Sequence, residues 1–213
     1  MQPNETRPTE TRPSNRQHGR LPWLHPDELD EAQRALYDHI LSGPRGSAPR
    51  SFPMTTEEGR FHGPFNAMLI DPIVGEAAQE LGAAVRYGTK LTNRAREIAI
   101  LDLAEVHQSD FEFYAHAAVG RGAGLSEEEI AALREGAVAP TLSPEEQLIR
   151  EVTHALVVHH DLDDALYGQA REVLGEVIIA DLVVLVGFYE YTALALRTFR
   201  VPLPEGTEPI FLH

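Results

Sequence analysis

The chain of 213 residues contains no cysteine. That absence excludes disulfide staples, thiolate metal sites, CxxC redox chemistry and a cysteine nucleophile. Lysine is nearly missing as well, with Lys90 the sole example, and 18 basic residues face 33 acidic ones for a formal net charge of −15. So negative a chain repels nucleic acid and anionic membrane surfaces, both of which reward dense Lys/Arg patches, and neither is expected as a partner. Long apolar runs are scarce. Val177 to Phe188 is interrupted by Asp181 and falls short of the roughly 20 residues that a spanning helix needs, so it reads as a buried core helix. Residues 1 to 20 carry only Met1 as a sizeable apolar side chain, which is no signal-peptide core, and a cytoplasmic location is expected.

What the chain does contain is helical pattern. Residues 1 to 20 hold ETRP twice and little that could be buried, so they are expected to form a disordered tail ahead of a single domain at 21–213. Pro26-Asp27-Glu28-Leu29 opens a helix that Gly43 stops, because acidic residues favour a first turn and glycine an ending. The Gly-, Pro- and Ser-rich stretch from Gly43 to Gly63 reads as a long loop of the kind that forms lids or subunit-contact arms. Helices are then predicted from Phe65 to Ile70, Pro72 to Tyr87, Thr92 to His107 and Ser109 to Arg121. In the second, Ile73, Ala77, Leu81, Ala84 and Val85 form an apolar stripe. Ser126 with Glu129 and Ser143 with Glu146 are capping boxes, and three more helices cover about 144–160, 163–174 and 176–199. No alternating apolar and polar run flanked by hairpin turns occurs, so the expected fold class is all-α.

Chemistry concentrates between Arg94 and His116. Glu97 precedes Ile98, Ala99, Ile100, Leu101 and Leu103. A carboxylate in such surroundings is pushed upward by desolvation and suits proton transfer near neutral pH; alternatively Glu97 complements the helix dipole or pairs with Arg94 or Arg96. Ser109, Glu112 and His116 follow at spacings of three and four, putting hydroxyl, carboxylate and imidazole on one helix face. Glu112 is placed to accept a bond from His116 and fix its tautomer, unless the two are an ordinary surface pair. A Ser/His/Glu triad is not supported, because seven residues of helix separate Ser109 from His116 by about 10.5 Å. Glu112 and His116 also have the spacing of two metal ligands, with His107, His62 or Glu97 as a third. His154, His159 and His160 sit toward a helix end, where the dipole favours imidazolium.

GPFNAML at 63–69, LGAAVRYGTKLTNRAREIAIL at 81–101, SDFEFYAH at 109–116 and LVGFYEYTALALRTFRVPLPEG near the end together resemble the carboxymuconolactone decarboxylase family, within the group sharing the AhpD-like fold. The resemblance extends from about Leu21 to Gly206. It implies an all-helical domain that assembles into homo-oligomers, trimers or hexamers and in some cases dimers, with sites near subunit contacts. In the peroxidase branch of that group a CxxC helix ends in a histidine, and a glutamate one helix earlier completes a proton relay. Here the glutamate falls on Glu97, the histidine on His116, and the two cysteines on Ser109 and Glu112, so thiol peroxidase chemistry is excluded. The decarboxylase branch needs neither cysteine nor cofactor. By that resemblance the chain is expected to be a cofactor-independent lyase, decarboxylase or isomerase acting on a small-molecule substrate, a carboxylated lactone or related oxygenated acid. His116 is then the acid, Glu112 and Glu97 its partners, Phe113 and Phe65 the walls, and Asn66 or Arg86 the holders of substrate oxygen, with Ser109 and His107 at the substrate. A metal-dependent oxygenase or hydrolase using Glu112, His116 and another histidine, and a non-catalytic helical binding module, are the alternatives.

Overall fold

The structure, a computed structural model, describes residues 17–43, 46 and 53–211. Among these residues the fold is mainly helical, with α1 (Glu31–Ser42), α2 (Phe65–Met68), α3 (Pro72–Tyr87), α4 (Asn93–Val106), α5 (Asp110–Gly122), α6 (Glu127–Arg134), α7 (Pro144–His159), α8 (Asp164–Val173) and α9 (Glu176–Thr198). Two-residue strands β1 (Gln17–His18) and β2 (Leu21–Pro22) pair antiparallel ahead of them.

The helix boundaries follow local chemistry. Thr92 accepts a bond from the Ala95 amide at the start of α4, and both serine capping boxes form as expected. The first helix starts later than its acidic residues suggest. Pro26–Glu28 makes one 3-10 turn, Leu29 is extended, and Asp30 caps α1 in a reciprocal box with Gln33.

Helix α4 lies at the centre, packed against α5, α6, α7 and α9. Ten of its fourteen residues are buried, so its few charged groups must find partners inside the protein. One apolar cluster joins Ala99, Ile100 and Leu103 to Leu148, Val152, Leu182 and Leu185 on α7 and α9. A second joins Ile98, Leu101 and Ala104 to Phe113, Ile130 and Leu133 on α5 and α6. Each fully buried Leu or Ile stabilises by about 1.5–3 kcal/mol, which fixes the α4–α5 pair that carries the candidate site.

Three expectations need correction, and the α3 stripe acquires a direction. Residues 17–20 are not tail: they form β1 and its turn, and His18 is buried against Trp23. Residues 1–16 lie outside the described residues. Within the 43–63 loop, residues 44–45 and 47–52 also lie outside them, while 53–63 is packed rather than lid-like. There Thr55 bridges Phe61, Phe61 is fully buried, and the Tyr37 hydroxyl donates to the Gly59 carbonyl. The α3 stripe faces outward, with Ile73 82% exposed and Ala77, Leu81 and Ala84 also exposed; only Val85 joins the core. Finally, α9 is buried on one side alone. Ile179, Leu182, Leu185 and Tyr189 enter the core, whereas Val177, Val183, Val184, Tyr191 and Leu194 stay exposed. By length and composition α9 is apolar enough to cross a membrane, but its inner face is committed to α4 and α7.

Candidate functional site

Antiparallel packing of α4 and α5 brings Glu97 to His116. The imidazole Nδ1 lies 2.6 Å from Glu97 Oε2. A carboxylate cannot donate, so Nδ1 carries the hydrogen and donates it. Glu97 is fully buried. Burial alone pushes its carboxyl upward, but His116, Arg86 and Arg96 outweigh that and hold it below the usual range. Arg86 Nη1 stands 3.8 Å and Arg96 Nε 3.5 Å from Glu97 Oε1, which keeps the glutamate an ionised orienting group. The Tyr189 ring meets the His116 ring edge-on at 5.1 Å between centroids, and the Tyr189 hydroxyl accepts a bond from Arg86 at 3.4 Å. Burial works against the Arg86 charge, yet Tyr189 and Glu97 more than offset it and raise its pKa above the ordinary arginine value.

The structure thus gathers Glu97, His116 and Arg86, and adds Arg96 and Tyr189. Tyr189 comes from α9, 73 positions beyond His116 in the chain, where no local spacing could reveal it. Arg96 was visible only as one of two flanking cations.

The remaining candidates sit elsewhere or do other work. Glu112 is not the partner of His116, because Nδ1 is committed to Glu97. Its carboxyl is fully buried with no charged partner, so burial drives its pKa well above the usual value, and a hydrogen bond with neighbouring Ser109 tempers the rise. Ser109 is buried at the start of α5 without capping it. His107 closes α4, with Nε2 3.7 Å from Glu190. Phe113 is core rather than pocket wall, packed edge-on against Phe211 at 5.4 Å. Phe65 stacks near Phe61 in the cluster beneath α1. Asn66 is fully buried and clasps the backbone: Oδ1 accepts from the Leu24 amide at 3.1 Å and Nδ2 donates to the Pro22 carbonyl at 3.0 Å.

His154 departs from the helix-end reading, since its Nδ1 lies 3.2 Å from buried Asp102, whose other oxygen faces Arg150 Nε at 2.9 Å. His159 and His160 do lie at the end of α7. For metal, the convergent set among the described residues is His39, Glu76 and Glu80, with one candidate ligand atom from each within 4.8 Å of the others. Glu112 and His116 are not part of such a set.

The comparisons agree with this architecture. Residues 72–155, which include Glu97, Glu112 and His116, match the model of the carboxymuconolactone decarboxylase family. No curated protein sequence matches significantly. Among solved structures, an uncharacterized peroxidase-related protein from Ralstonia eutropha JMP134, described as an alkylhydroperoxidase AhpD core, superposes with a TM-score of 0.71 at 14% identity over 89% of this chain and 94% of that one. A peroxidase-related protein from Silicibacter sp. TM1040 gives 0.68 at 13% identity over 89% and 93%. An AhpD-type protein of unknown function from Agrobacterium tumefaciens gives 0.60 at 19% identity over 65% and 96%. The chain therefore has the AhpD-like fold, and its residues 72–155 are similar to the carboxymuconolactone decarboxylase family, in a sequence without any cysteine.

Proposed function

We propose that the protein is a cofactor-independent lyase or isomerase that moves a proton on a small carboxylated lactone or related oxygenated acid. The observation that carries this reading is the buried 2.6 Å contact of His116 Nδ1 with ionised Glu97. In a decarboxylation the C–C bond to the carboxylate breaks, carbon dioxide leaves, and the electron pair delocalises into the lactone carbonyl. His116 Nε2–H then protonates carbon while Glu97 stabilises the imidazolium before transfer. Arg86 is the nearby cation suited to the enolate oxygen. An isomerisation uses the same pair, with His116 first removing the proton it later returns.

Turnover of candidate lactones by His116→Gln and Glu97→Gln tests the assignment. Loss of His116 is expected to lower kcat by about 10²–10⁴-fold, with Glu97→Gln also impaired. Wild-type turnover in both variants overturns the reading.

The exposed α3 and α9 stripes support assembly into a homo-oligomer, since contiguous apolar surface marks interaction sites. Helices α3 and α9 pack against each other, so their outward faces are neighbours in the fold.

A further inference from the structure

The C-termini of α4 and α9 meet, with Arg197 donating to the His107 carbonyl. Both helices close with the same turn: the Ser109 amide reaches back to the Ala104 carbonyl at 2.8 Å, and the Val201 amide to the Leu196 carbonyl at 2.9 Å. The residue inside such a turn is left-handed and usually glycine. Here the positions are Gln108 at φ 51° and Arg200 at φ 49°, side chains held in a conformation that strains them. Both line one groove of about 620 Å³ between the first turn of α5 and residues 196–209.

That groove is equipped for one kind of ligand. Arg200 is exposed, makes no ion pair among the described residues, and shares the lining of the groove with apolar Phe111, Leu196 and Leu203. Arg197 adds a second cation. The thirteen-residue α5 begins here without a side-chain cap, contributing the positive end of its dipole. Ser109 lines the groove, nearly fully buried, with its hydroxyl beside the Glu112 carboxyl. Two carboxylates also line it. Asp110 is occupied, accepting the Ile210 and Phe211 amides at 2.7 and 2.9 Å, and Glu205 is exposed.

We propose that this groove binds a small carboxylate with an apolar body, the carboxylate on Arg200 and Arg197 and the body against Phe111, Leu196 and Leu203. The site does not depend on proton transfer at His116, which lies about 10.5 Å along α5 from Ser109.

Calorimetric titration with phenylacetate, and with uncharged phenylacetamide of the same shape, tests it on the full chain. Phenylacetate should bind saturably, and phenylacetamide about tenfold or more weaker, the loss of a charged hydrogen bond. Arg200→Gly should melt higher than wild type, because glycine relieves the left-handed strain, yet lose phenylacetate affinity by about tenfold. Arg200→Gln, which keeps the strain, should lose it equally. His116→Gln should bind as wild type. Absence of saturable binding, equal affinity for the amide, retained affinity in either Arg200 variant, or equal loss in His116→Gln overturns the proposal.

Discussion

Replacing His18 with phenylalanine probes the N-terminal ribbon. His18 is 1% exposed, stacks on Trp23 with centroids 4.9 Å apart, and neither ring nitrogen reaches hydrogen-bond geometry. Burial first, and repulsion from His62 second, lower its pKa from 6.5 to about 4, with the Gly63 backbone opposing weakly. The unfolded chain accepts a proton below pH 6.5 that the folded chain refuses until about pH 4. Stability is therefore intact above pH 6.5 and lost as pH falls through that window. The window spans 6.5 − 4, or about 2.5 units, and at about 1.36 kcal/mol per unit the full loss is about 3.4 kcal/mol. Screening this close to the surface leaves about 2–3 kcal/mol. A chain of this size shifts by about 2–4 °C per kcal/mol, so the wild type should lose roughly 4–12 °C more than His18→Phe between pH 7 and pH 4. The phenyl ring keeps the stack and cannot titrate. Melting curves by circular dichroism across that range give the difference directly. Parallel pH profiles, or a wild type that gains on the variant as pH falls, refute the reasoning.

Glu112→Gln should show the opposite slope. Its raised pKa means that the wild type loses stability as pH climbs above the unfolded value, so the variant gains by about 1.4 kcal/mol per unit while Glu112 stays protonated; melts from pH 5 to 8 that run parallel refute this. Asn66→Ala strands the Leu24 amide and Pro22 carbonyl, and should cost about 2–4 kcal/mol in denaturant unfolding. Lost turnover at unchanged stability would instead restore a substrate role for Asn66. Under the proposed homo-oligomer, Ile73→Asp combined with Leu194→Asp should give a monomer where the wild type is larger, seen as molar mass by light scattering, with each substitution changing the folding stability of the chain itself by less than about 0.5 kcal/mol. An unchanged mass places the subunit contact elsewhere.

Helix ends were legible because they are local chemistry: Thr92, Ser126 and Ser143 cap where their side chains can reach an amide three residues on. The destination of a helix face was not. The α3 stripe has the period of a core helix, but periodicity says only that a face is apolar, not whether its partner belongs to the same chain. The same limit explains His116. Spacing along α5 offered Glu112 as its partner, while the nitrogen is taken by Glu97 from the neighbouring helix, a contact that antiparallel packing creates and one helix cannot display. Asn66 was readable as a polar group and not as a clasp on Pro22 of β2 and on Leu24, 44 and 42 residues away. The charged, repetitive tail hid the burial of His18, because low apolar content over twenty residues averages out one anchored ring.

Helix α4 carries two buried carboxylates that face imidazoles, and their surroundings separate them. Asp102 approaches His154 and Arg150, but burial prevails and its pKa is raised, while the His154 side chain is 43% exposed. Glu97 meets His116, Arg86 and Arg96, and there the cations prevail, so it stays ionised; the His116 side chain is only 12% exposed. The two carboxylate–imidazole pairs thus differ in the two properties that acid–base work requires, a fixed negative partner and shelter from water. An imidazolium at His116 is stabilised by a full charge in a medium that screens little, whereas the His154 ring lies closer to solvent. The proposed proton transfer is therefore assigned to the α4–α5 pair, where His116 and two guanidinium groups together keep Glu97 ionised.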